Sequence, residues 1–90
     1  MLKFGPNPFT DVMNLDIKTE VQTSLQVMVY NMQGVLIQTL ENAQVSKGVH
    51  HFTWNGKNSS GNELPAGIYN LDIRTGGGTH NSYRLVKIRE

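Results

Sequence analysis

Apolar residues in this chain recur in short alternating runs, each closed by turn chemistry. From Met13 to Lys18 the alternation is clean. Met13, Leu15 and Ile17 share one face and Asn14, Asp16 and Lys18 the other, the period-two pattern of a half-buried strand. Leu25, Val27 and Val29 repeat it, with Gln26 between them and Met28 and Tyr30 on the second face. Asn31-Met32-Gln33-Gly34 predicts a tight connection in which Gly34 takes the positive φ. Val35 to Leu40 follows with apolar residues on both faces, which predicts a central strand. After Lys47-Gly48, residues His50, Phe52 and Trp54 share a face. A polar loop from Asn55 to Glu63 and then Leu64-Pro65-Ala66-Gly67 lead into Ile68–Arg74, with Tyr69, Leu71 and Ile73 facing in. Gly76-Gly77-Gly78 predicts a mobile hairpin tip, and Ser82–Arg89 closes the sheet. In that last strand Tyr83 and Leu85 have the opposite parity to Val86 and Ile88, so a bulge or burial on both faces is expected.

Pro6-Asn7-Pro8 precedes these runs. Two prolines fix φ and remove ladder donors, so the segment reads as an edge or lead-in. No segment holds a helical period with caps. The pattern predicts an all-β fold of six strands plus the lead-in, packed as two sheets. The length suits one domain over residues 1–90, with residues 1–5 a linker remnant. Such a chain buries only about 60% of the surface it exposes when unfolded.

Composition narrows the function more than the fold. The formal net charge of +1 creates no field that draws a polyanion, so no nucleic-acid partner is expected. Without cysteine, disulfides, thiolate metal sites and cysteine nucleophiles are excluded. No apolar run approaches the ~18 residues of a membrane span. The start lacks the layout of a signal peptide. The chain is therefore cytoplasmic or an excised domain carrying an added methionine, and excision is the expectation. His50 and His51 are adjacent and point to opposite faces, and His80 is distant, so no metal site is expected. The Asn55–Glu63 loop holds one carboxylate beside Lys57, too few for calcium. No nucleophile elbow is present, and Asp11, Asp16 and Asp72 show no sign of pairing. The chain reads as non-enzymatic and without cofactor.

The punctuation also carries a resemblance. Pro6-Asn7-Pro8-Phe9, Val29-Tyr30-Asn31-Met32-Gln33-Gly34, Trp54-Asn55-Gly56, Gly61, Leu64-Pro65-Ala66-Gly67-Ile68-Tyr69 and Leu85-Val86-Lys87-Ile88 follow in an order that resembles the type A C-terminal sorting domain of the type IX (Por) secretion system. That family shares an immunoglobulin-like sandwich with the C-terminal domain of the flagellar hook-capping protein. Here Gly5 stands where an aromatic usually precedes the Pro-Asn-Pro, and Asn55 where aspartate is common. The resemblance implies an immunoglobulin-like antiparallel β-sandwich of about seven strands. It also implies a C-terminal secretion signal that takes an N-terminal cargo domain through the periplasm and the outer-membrane translocon. A sortase then reads and usually removes it, leaving the cargo at the cell surface or secreted.

Lys87 and Arg89 lie two apart on the last strand and are expected to project from one face toward a carboxylate-bearing partner. A terminal strand also offers unpaired backbone groups for strand addition. Leu85, Val86, Lys87, Ile88 and Arg89 are therefore the expected recognition element, against the simpler reading of a solvated edge whose charges prevent aggregation. Pro6, Asn7, Pro8, Gly34, Trp54, Gly56, Gly67 and Tyr69 are expected mainly to hold the fold. Gly67 would permit a backbone angle or close approach, Tyr69 resembles a corner tyrosine, and Trp54 reads as core by its parity with Phe52. An adhesion or carbohydrate-binding module of fibronectin type and a structural scaffold domain are the alternatives. A homodimer through the lead-in or last strand is a further option.

Overall fold

The computed structural model describes residues 2–88, with seven strands in two antiparallel sheets and no helix among the described residues. β1 (Leu2–Gly5), β2 (Met13–Thr19) and β5 (Gly48–Trp54) form one sheet in the order β1-β2-β5. β4 (Leu36–Val45), β3 (Thr23–Tyr30), β6 (Gly67–Thr75) and β7 (His80–Lys87) form the other, in the order β4-β3-β6-β7. The inward positions predicted by parity make the core between them: Met13, Leu15, Leu25, Val27, Val29 and Leu71 are fully buried. The fold is an all-β, immunoglobulin-like sandwich.

Three strands differ from expectation, each for a local reason. Leu2–Gly5 is not a linker. It pairs with β2 from Leu2 opposite Ile17 to Gly5 opposite Asn14, and Phe4 packs on Tyr83 of β7 with ring centroids 5.6 Å apart. β4 is an edge strand, not a central one. Ile37 and Leu40 are three apart and cannot share a face in a regular strand. Register shifts opposite Val27/Met28 and Val29/Tyr30 leave Leu40 and Ile37 as the extra residues, and both pack against the core. Spacing that resembles two-faced burial is thus a doubly bulged edge. β7 carries no such shift: its register with β6 is unbroken from Gly67 opposite Lys87 to Arg74 opposite His80.

The hairpin tip is anchored as well. Gly76 N donates to Ser24 O at 3.0 Å and to Thr23 Oγ1 at 3.1 Å. Thr75 N and Thr79 O close the turn at 3.0 Å. At the opposite end of the sandwich Gly34, with φ of 83°, closes the β3–β4 turn by donating to Asn31 O at 3.0 Å.

Candidate recognition site

The proline lead-in crosses from β1 to the far sheet and lies along the free edge of β7. Its prolines donate nothing, and the side chain of Asn7 substitutes for a strand. Asn7 Nδ2 donates to Arg84 O at 3.0 Å and Asn7 Oδ1 accepts from Val86 N at 2.8 Å. Phe9 continues with its backbone, donating to Val86 O at 2.9 Å and accepting from Ile88 N at 2.8 Å. Four bonds thus occupy the outward backbone groups of β7 between Arg84 and Ile88. The Phe9 ring, 1% exposed, packs on Trp54 with centroids 5.5 Å apart, and Trp54 packs edge-on against Tyr69 at 5.3 Å.

The β5–β6 loop closes over the same place. Trp54 Nε1 donates to Lys57 O at 2.9 Å, and Leu64 N to Gly56 O at 3.0 Å. The Tyr69 hydroxyl donates to Pro65 O at 2.6 Å, a sequence separation of four. Burial pushes the Tyr69 phenol up from its ordinary value, because the phenolate loses solvation there. Beneath the loop runs Lys87. Its ammonium donates to Glu63 Oε1 at 3.0 Å and Leu64 O at 2.7 Å, and its stem passes so close to Gly56 that a Cβ there would overlap Cε. With φ of 76°, Gly56 is required twice over.

The expected recognition element therefore divides by parity. Leu85 and Lys87 point inward, 0% and 6% exposed, while Val86 is half-buried and Ile88 is exposed. Lys87 does not project toward a partner, because its charge is satisfied within the fold. Arg89 lies outside the described residues. Strand addition along Leu85–Ile88, or a homodimer through that edge, finds the backbone groups already taken by Asn7 and Phe9. Trp54, 1% exposed, is no platform for a sugar. Gly67 opens β6, and a Cβ there would meet open space, so close approach is not its reason. Asn7, Phe9 and Glu63 complete the cluster. An amide side chain between two prolines was the one local sign of the first.

Two carboxylates without evident sequence partners are paired. Asp16 meets His51 Nδ1 across β2 and β5 at 2.6 Å. Asp72, 7% exposed in its side chain, takes Arg74 Nε at 3.0 Å, Ser82 Oγ at 3.2 Å and His80 Nε2. Ser82 Oγ donates to the same carboxylate oxygen that meets His80. Among the described residues no group of three or more His, Asp or Glu could hold a metal. Beside the cluster lies a cleft of about 300 Å3 bounded by Thr10, Asp11, Glu63 and Ile88.

A sequence model of the FlgD Ig-like domain family matches residues 6–78, from the lead-in to the β6–β7 turn. The chain belongs to the FlgD Ig-like domain family. The basal-body rod modification protein FlgD of Salmonella typhimurium is 42% identical over 45 residues, covering 50% of this chain and 19% of that protein. The matched stretch is thus about a fifth of that relative's length. Among solved structures, dimeric latent PorU from Porphyromonas gingivalis superposes with a TM-score of 0.80 at 17% identity, covering 99% of this chain and 9% of that one. PorZ, a surface component of the type-IX secretion system of the same organism, gives 0.68 at 19%, covering 98% and 11%. FlgD from P. aeruginosa gives 0.62 at 29%, covering 86% and 61%. The likeness to PorU and PorZ is one of fold. Within this FlgD Ig-like domain, β7 and its Lys87 clasp lie beyond the matched residues.

Proposed function

We propose that this FlgD Ig-like domain is a C-terminal sorting module of type IX secretion. It acts as a folded address that an outer-membrane translocon reads and a surface sortase recognises, and it acts by recognition and not by catalysis. Its cargo would lie N-terminal to it and pass through the periplasm to the cell surface. The observation that carries this reading is the clasp. Pro6-Asn7-Pro8-Phe9, Trp54-Asn55-Gly56, Leu64-Pro65 and Leu85–Ile88 are far apart in sequence yet meet at one end of the sandwich, so the signature is a single three-dimensional unit. The fold shared with PorU and PorZ supports it, although a fold does not carry a function by itself.

The test fuses the chain behind an exported reporter in a bacterium with a type IX system. Surface delivery of the reporter is expected. A reporter that stays in the periplasm with this domain folded sinks the reading. A second reading, a scaffold domain in an assembly, is favoured by the FlgD relatives. It predicts higher-order assemblies of the purified chain in sedimentation, where the sorting reading predicts none.

A further inference from the structure

A solvent-facing sheet is expected to read polar at alternate positions. The outer face of the β4-β3-β6-β7 sheet departs from this at the clasp end. Met28 and Tyr30 take the outward positions of β3, with the Tyr30 hydroxyl 3.4 Å from Met28 Sδ. Leu36 stands opposite Tyr30. Ile68 stands opposite Val86, and Met32 reaches over Asn70, Sδ to Nδ2 4.0 Å. These apolar side chains share the outer face at this end, with Asn70 and Asp72 opposite Tyr30 and Met28 and with Ile68 diagonal to Tyr30. Met32, Leu36 and Ile68 are 53%, 47% and 39% exposed.

The sheet's edges do not invite strand addition beside these side chains. β4 is bulged at Ile37 and Leu40, and the outward groups of β7 from Arg84 to Ile88 are occupied by Asn7 and Phe9. What the face offers is side chains. Its charge is one-sided: Arg74 and His80 are paired to Asp72, whereas Arg84, exposed and opposite Asn70, pairs with no carboxylate among the described residues. Tyr, Met and Arg are the types enriched where proteins bind one another. A guanidinium beside apolar surface suits a carboxylate.

We propose that this face docks a protein segment carrying apolar side chains flanked by carboxylates, with the apolar groups on Met28, Tyr30 and Ile68 and a carboxylate on Arg84. A second copy fits less well, since packing the face on itself brings two Arg84 guanidiniums together without an acid between them. The surface is proposed whichever assembly the domain serves, so its failure leaves the sorting reading standing, and the reverse holds too.

The probe is a phage-displayed library of short random peptides panned on the purified chain. Enrichment of peptides that combine Leu or Phe with Asp or Glu is expected. The best of them should move the amide signals of Tyr30, Ile68, Asn70 and Val86. Arg84→Glu and Met28→Lys should each weaken that peptide about tenfold with thermal unfolding unchanged, while Lys3→Glu on the other sheet should not. The proposal is overturned by no enrichment, by basic peptides, by shifts on another surface, or by indifference to Arg84→Glu. A dimer that Met28→Lys dissolves would overturn it equally.

Discussion

The Lys87 stem runs beneath Gly56 and its ammonium is shared between Glu63 and the carbonyl of Leu64. Glu63 is 61% exposed, so water reaches half of the pair and its Coulomb term is small. The bond to the Leu64 carbonyl matters more. Lys87→Met is expected to cost about 1–3 kcal/mol in urea unfolding, the range for leaving an acceptor shielded from water without its partner. Gly56→Ala should cost about 1–3 kcal/mol, since the methyl both strains a left-handed backbone and meets the lysine stem. Because the two residues touch, the double variant should lose less than the sum. An additive cycle would separate them. Tyr69 supplies a pH dependence. Its raised pKa means the fold favours the neutral phenol, so this stabilisation is complete below about pH 10 and is lost as pH rises through the folded value. Thermal melts should show an alkaline loss of stability that Tyr69→Phe reduces. The direction of Lys87 was legible, since it shares parity with Tyr83 and Leu85. Its charge argues the other way, yet an ammonium can be satisfied locally whereas a strand cannot reverse one side chain.

Among the elements, the pairing of the lead-in with β7 joins residues nearly the whole chain apart, Asn7 with Arg84 and Val86. Asn7→Ala removes both bonds and leaves Phe9 holding the segment by its ring and two backbone bonds. A loss of about 1–2 kcal/mol is expected. Hydrogen exchange should show it locally, with the Val86 amide losing protection while Leu71 in the sheet centre does not. Equal loss at both would mean the lead-in is part of the global unfolding unit. Strands β2, β3 and β6 were legible because alternate burial leaves a period in the sequence. β1 was not, since four residues cannot display one. The bulges of β4 were written in the three-residue spacing of Ile37 and Leu40, but a spacing of three only becomes a bulge once a partner strand is known. The side-chain mimicry by Asn7 is a long-range contact with no local pattern.

At the scale of the whole molecule, the last strand turns Leu85 and Lys87 inward and Val86 and Ile88 outward, and this decides how a truncation should be read. A domain of this size has about 5–15 kcal/mol of stability. Deleting Leu85–Glu90 removes a fully buried leucine, worth about 3–5 kcal/mol in cavity terms. It also removes the Lys87 clasp and three of the four bonds that hold the lead-in. The truncated chain is therefore expected to lose cooperative unfolding, and a secretion failure in it would report a missing fold. The outward positions separate the two roles. Val86→Ser with Ile88→Ser should leave the clasp intact and keep a cooperative thermal transition within a few degrees of the parent, because both side chains are at least partly solvated in the folded state. If the terminal strand is read by a partner in sorting, a reporter carrying this double variant stays in the periplasm although the domain is folded. If the reporter reaches the surface as before, the outward side chains of the strand are not read, and its part in sorting is to complete the sandwich.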